Sequence, residues 1–272
     1  MAETVNQTDA SQVDGAGLGA GRPGAAREPT GACATGPTAK LPGGRLARWL
    51  WPPRCLVCLD RGSSGLDLCG ACTANLPWLG HACGRCALPM SEPGRDCGHC
   101  LRQPPPLTEA HAACLYGHPL DRLLPRFKFH HDLAAGRLLA QLMARSFAPL
   151  AADWAQAVAL VPVPLHPRRL RQRGYDQALE LARPLAHALQ LPLGQRTLIR
   201  VRDTAAQSRL HADQRQRNLR DAFAVTASAA LPAHVVLVDD VMTTGATLHA
   251  AADALRRAGV ARVDAWVCAR AP

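Results

Sequence analysis

Hydrophobic and polar residues change rhythm several times along this chain, and each change predicts an element. Residues 235–238, Val-Val-Leu-Val, are continuously aliphatic, which suits a strand buried on both faces of a parallel sheet. Runs at 112–116, 157–163 and 260–268 read as further strands. Between them, apolar residues recur at helical spacing over 120–129, 133–147, 175–189 and about 248–258. Pro125 and Pro184 fall inside two of these helices, and Pro184 should cost about 3 kcal/mol or bend its helix. Strand, loop and helix repeated in this way imply right-handed parallel crossovers, hence an α/β fold with a parallel sheet flanked by helices.

The rhythm is lost towards the N-terminus. Residues 1–44 are rich in Gly, Ala, Thr and Pro without periodicity and are expected to be a disordered tail. Residues 45–104 hold few large apolar residues and read as a small cysteine-rich module, with 46–51 (Leu-Ala-Arg-Trp-Leu-Trp) as a short helix packed on it. The α/β domain takes 105–272, and 272 residues suffice for one sizeable domain plus a module.

What the module lacks in apolar mass it has in sulfur. Cys55, Cys58, Cys69, Cys72, Cys83, Cys86, Cys97 and Cys100 form four C-x-x-C knuckles with ten residues between consecutive pairs. Thiolates so spaced can surround zinc tetrahedrally, and a poor core needs such a staple, so two structural Zn2+ sites are expected. Sequential pairing (55/58/69/72 and 83/86/97/100) is favoured over a cross-braced arrangement. A disulfide framework is the rival, but the first forty residues contain no apolar signal-like segment and no stretch is long enough to span a bilayer. The expected compartment is the cytoplasm. Cys33, Cys114 and Cys268 lie outside the repeat.

The buried run at 235–238 leads straight into candidate chemistry. Asp239 and Asp240 fall at its carboxyl end, where open α/β sheets bind ligands. Thr243, Thr244, Gly245, Ala246 and Thr247 follow, and a helix starting on that loop turns its free N–H groups towards an anion. Gly245 permits close backbone approach, while the threonine hydroxyls add donors. Two adjacent acids can accept hydrogen bonds from vicinal ribose hydroxyls and help hold a divalent cation. The segment therefore reads as a sugar-phosphate site.

Charge adds a second anion-binding feature. The formal net charge is +10, and residues 165–220 hold twelve arginines against four acids. Such a block attracts pyrophosphate or nucleic acid, although a solvated basic face is the plainer interpretation. In the loop from 165 to 177, Arg171 and Arg173 can fork onto a pyrophosphate and Gly174 frees the backbone at the next helix entrance. The later stretch 204–218 has few apolar anchors and could close as a flap.

These motifs together resemble the ComF family over roughly residues 52–270. The shared order is the cysteine knuckles, Leu76-Pro-Trp78, Phe127-Lys128-Phe129, Val161-Pro-Val-Pro164, Arg173-Gly-Tyr-Asp-Gln177, Thr204-x-x-Gln207-x-x-Leu210, Arg215-x-x-Asn218, and Asp239-Asp240 with its Thr-Gly loop. Residues 235–248 are similar to the phosphoribosyl-pyrophosphate (PRPP) motif of type I phosphoribosyltransferases. The resemblance implies that fold carrying a zinc ribbon, PRPP as ligand with Mg2+, and a link to DNA uptake in competent bacteria. It implies Asp239 and Asp240 as catalytic residues, Lys128 beside Arg171, Arg173 and Gly174 on pyrophosphate, and Thr204, Gln207, Arg215 and Asn218 in the flap. The alternative function is a non-catalytic PRPP or nucleotide sensor that binds single-stranded DNA and serves the uptake machinery. Three positions depart from the patterns of these families, and Tyr175, which replaces a common Phe, keeps the ring. Asp176 replaces a common Asn, adding charge near the expected anion site. Thr243 stands where six-oxopurine phosphoribosyltransferases carry a base-facing acid, which argues against hypoxanthine or guanine as acceptor.

Overall fold

The computed structural model describes residues 53–63, 65–92, 96–152, 154, 158–203, 221–227 and 231–272. The expected tail, the 46–51 helix and the 204–218 flap, including Thr204, Gln207, Arg215 and Asn218, lie outside the described residues.

Four parallel strands form the sheet: β1 (Ala110–Leu115), β2 (Val158–Pro162), β5 (His234–Met242) and β6 (Arg262–Arg270), in the order β1-β6-β5-β2. Helix α3 (Leu120–Phe129), α4 (Leu133–Ala151) and α6 (Gln177–Leu189) cover one face, where α4 packs on α6, β1 and β6. The other face carries α7 (Ala246–Arg257) and a small antiparallel hairpin, β3 (Leu198–Arg200) with β4 (Phe223–Val225). Each face has its own core. Val236, Val238, Trp266 and Cys268 point to the α3/α4/α6 side, while Val235, Leu237, Ala265 and Val267 point to the α7 side. This is the period-two alternation of a strand buried on both sides.

The helix at Leu120–Phe129 occurs as expected despite Pro125. Pro184 does not break α6 either. It stands on a half-buried side of the helix, so the Glu180 carbonyl it leaves without a donor can meet water. Elsewhere the structure differs from expectation. Residues 165–177 are not an open loop, because α5 (Pro167–Arg173) forms there, capped by the His166 side chain at its start and by left-handed Gly174 (φ 78°) at its end. Strand β5 continues four residues beyond 238 and takes both acids into the sheet.

The cysteine module docks directly on this domain. Its two short helices, α1 (Gly70–Ala74) and α2 (Gly98–Arg102), each begin at a cysteine. Residues 77–79 then run antiparallel along β1, with Leu115 N–H donating to the Pro77 carbonyl at 2.7 Å and Leu79 N–H to Ala113 at 3.2 Å. At the opposite side of the sheet, Leu160 exchanges hydrogen bonds with Pro192 and Gly194. Among the described residues no helix is long and apolar enough to cross a membrane.

Candidate functional site

Asp239 and Asp240 stand at the carboxyl end of β5 and, being neighbours in a pleated strand, project from opposite faces. They are therefore not a side-by-side couple. Asp239 pairs in register with Val267 on the α7 face, and its Oδ1 accepts the Asp240 N–H at 2.8 Å. Burial, and then the charge of Asp240, push its carboxyl up to about 8. Asp240 is 8 % exposed on the other face, where Lys128 Nζ from the end of α3 meets its Oδ1 at 2.9 Å. A buried carboxylate is tolerable there because an ammonium matches it.

The turn after β5 joins these acids to α7. Gly245 is buried and left-handed (φ 77°), and a Cβ there would come within 2.6 Å of Met242 Cε and 2.9 Å of His249 Nε2. Only glycine fits such a position. Thr243 and Thr244 are exposed, and Ala246 and Thr247 open the helix, where the Thr244 hydroxyl oxygen accepts the Ala246 N–H at 3.4 Å. The helix thus begins with its positive dipole end at a turn built for close approach. Beneath the turn lies His249, whose buried Nε2 has no partner among the described residues. Burial first, then the charges of His99 and Arg270, lower it to about 4.

The basic candidates divide. Arg173 lies over the Phe129 ring at 5.2 Å, which brings it to the same wall as Lys128 at the end of α3. Arg171 is exposed, and Gly174 ends α5 rather than opening α6. Asp176, the departure from the family pattern, caps α6. Its Oδ1 accepts the Leu179 N–H at 3.1 Å and its Oδ2 the Leu165 N–H at 3.0 Å, so its charge is turned onto backbone donors. Burial nevertheless raises its pKa. Two arginines near the site escape sequence reasoning. Arg200 on β3, over the Phe223 ring at 5.3 Å, is close enough to Asp239 for their charges to act on each other. Arg270 ends β6 at 7 % exposure, and its one signal in the sequence is an arginine closing an otherwise apolar run.

The eight cysteines gather as two sequential tetrads, Cys55/Cys58/Cys69/Cys72 and Cys83/Cys86/Cys97/Cys100, with the ligand atoms of each within 4.8 Å of one another. Sulfurs around zinc at Zn–S of about 2.3 Å sit about 3.8 Å apart along a tetrahedral edge. The Cys58–Cys69 and Cys86–Cys97 sulfurs are 3.6 and 3.8 Å apart, so the donor set fits. Burial opposes the Cys55 thiolate, but N–H groups of Cys58, Cys69 and Val57 draw it down to about 6. Cys97 is drawn to about 7 against the same penalty, first by the Cys100 N–H. In each tetrad backbone N–H groups thus favour a thiolate, the form that binds zinc. These are structural zinc sites.

Known proteins match both halves. Residues 46–101 match the model of the double zinc ribbon domain and 176–272 that of the phosphoribosyl transferase domain. DNA utilization protein YhgH of Salmonella typhi is 40 % identical over 179 residues, covering 62 % of this chain and 75 % of that protein. Competence protein F of Haemophilus influenzae is 38 % identical over 160 residues, covering 57 % and 70 %. Competence protein ComFC of Bacillus subtilis is 31 % identical over 147 residues, covering 54 % and 57 %. With a double zinc ribbon, a phosphoribosyl transferase domain and this likeness to DNA utilization and competence proteins, the chain belongs to the ComF family.

Proposed function

We propose that the carboxyl edge of β5 binds PRPP with Mg2+ and that the chain is a phosphoribosyltransferase of the ComF type. The observation that carries this is the continuity from Asp239 and Asp240 through the Gly245 turn into the first turn of α7, which sets two acids beside the positive dipole end of that helix. The 5-phosphate would rest on Thr243, Thr244, Gly245, Ala246 and Thr247. The ribose would lie across the strand end, with one carboxylate approaching from each face. Lys128 and Arg173 would take pyrophosphate from the α3 side, Lys128 leaving Asp240 as the ligand enters with its cation; Arg171 and the Gly174 turn lie beside Arg173 in the chain. Mg2+, sharing oxygens with the ligand, would offset the charge of departing pyrophosphate. The chain's own residues orient the ribose and hold the phosphates while positive charge develops at C1.

Titration calorimetry with PRPP and Mg2+, followed by assay of released pyrophosphate with a panel of bases, tests this. Binding is expected, and Asp239→Asn with Asp240→Asn together should weaken it at least about 100-fold while the protein stays folded. Unchanged affinity in that double variant would remove the assignment. The basic block 165–220 and the DNA-utilization names of the relatives favour a second reading, a PRPP sensor that grips single-stranded DNA. Binding of PRPP without turnover on any base, together with DNA affinity that falls steeply with salt, would select it.

A further inference from the structure

The second zinc site touches the proposed phosphate turn through one buried side chain. Arg270 Nε donates to the carbonyl of Cys86, itself a zinc ligand, at 2.8 Å. Its Nη1 donates to the carbonyl of Met242 at 3.2 Å, and Met242 is the last residue of β5 before Thr243. The same nitrogen also reaches the Ala271 carbonyl, while Ala271 N–H donates to Met242 at 2.9 Å. The guanidinium is therefore clamped between a metal ligand and the root of the turn. All of these acceptors are neutral carbonyls, and among the described residues no carboxylate pairs with Arg270. A buried cation without a carboxylate needs a counter-charge. Zinc held by four thiolates carries a net charge of about 2−, and the Cys83/Cys86/Cys97/Cys100 site lies on the far side of the Cys86 carbonyl. His99, within that tetrad's second knuckle, and Arg270 both act on His249, which lies directly under Gly245.

We infer that Arg270 is a positioning residue that ties the second zinc site to the Thr243–Thr247 turn, so that metal at that site sets the turn for an anion. Among the described residues the first zinc site has no such tie to the turn. Its docking arginine, Arg126, donates to the Leu56 carbonyl at 2.9 Å but is already matched by Asp132 at 2.6 Å, on the opposite face of the sheet. The inference rests on the turn being the phosphate site proposed above. Binding energies are reciprocal, so a phosphorylated ligand at the turn must in return tighten the second zinc site and leave the first alone.

Four variants of the full chain provide the test: Cys58→Ser at the first site, Cys100→Ser at the second, Arg270→Met and Arg270→Lys. Each is followed by zinc analysis, by amide hydrogen exchange at residues 243–249 without ligand, and by PRPP calorimetry. Cys100→Ser and Arg270→Met should speed exchange in the turn and weaken PRPP about tenfold. Cys58→Ser should lose one zinc and change neither by more than about twofold, and Arg270→Lys should recover part of the loss by keeping the charge. Equal effects from the two cysteine variants, or unchanged exchange in Cys100→Ser, would overturn the tie. If the parent protein binds no PRPP, the site assignment fails, yet the exchange contrast still decides the coupling. Should Cys100→Ser not fold, cobalt replaces zinc in the parent and in Arg270→Met. PRPP should then shift the tetrathiolate cobalt bands of the parent alone, and an unshifted parent spectrum counts against the proposal.

Discussion

The two faces of the sheet carry parallel equipment put to different uses. Each has one aspartate at the end of β5, one zinc ribbon and one arginine that reaches from the α/β domain to a ribbon carbonyl. On the Asp240 face, charge is closed locally: Lys128 matches Asp240, and Asp132 matches Arg126. Ribbon residues Cys55, Leu66, Leu68, Cys69 and Leu76 there are part of the main core. On the Asp239 face, charge is left open, with a carboxyl raised by burial and an arginine served only by carbonyls. The second ribbon gives that core little beyond Ala87. Repeats of identical spacing have become a foundation on one side and a lever on the other.

The strongest way to break this comparison is to remove one ligand from each ribbon. Cys55→Ser should release one zinc and destabilise the whole domain by on the order of 5 kcal/mol, since it also opens the shared core. Cys83→Ser should release one zinc and leave the unfolding midpoint of the α/β domain nearly unchanged. Denaturant melts with metal analysis would show it, and equal losses would erase the distinction. A milder version leaves the metal alone. Leu68→Ala, at a fully buried side chain, should cost about 3 kcal/mol, whereas Leu88→Ala, half-buried in the second ribbon, should cost about 1 kcal/mol. Both proteins should keep two zincs.

The smallest effect is one of pH. Asp239 holds its proton up to about 8 in the folded chain, against an ordinary value of 3.8. Between those values the folded state binds a proton that the unfolded chain releases. This group therefore makes stability fall as pH rises, by at most about 1.4 kcal/mol per unit. Asp239→Asn should flatten urea-derived stability between pH 6 and 8 relative to the parent. Asp240→Asn removes the neighbouring charge that helps raise Asp239, so it should lessen that slope without abolishing it, because burial is the larger cause.

Much of this was legible in the residues because the signals were long or repeated. The aliphatic run at 235–238, the ten-residue cysteine spacing and the helical rhythm at 120–129 each had enough positions to define a period. The hairpin of β3 and β4 was not, since three residues per strand carry no period and twenty-two residues separate them. Helix α5 escaped for a related reason: seven residues, mostly arginine and with none buried, have no apolar face to betray them. The acids were expected after the strand because the continuous aliphatic run stops at Val238. Backbone pairing of Asp239, Val241 and Met242 with β6 kept them inside it instead, and that decided which way each one faces.

The short segments lying along β1 and β2 have a consequence for how molecules of this protein can meet. An open sheet invites a second molecule to add its own strand, and both rims here are already occupied by neighbouring stretches of the same polypeptide, 77–79 at one and 192–194 at the other. Among the described residues, a second molecule adding a strand to the central sheet would therefore first have to displace one of these stretches from its rim.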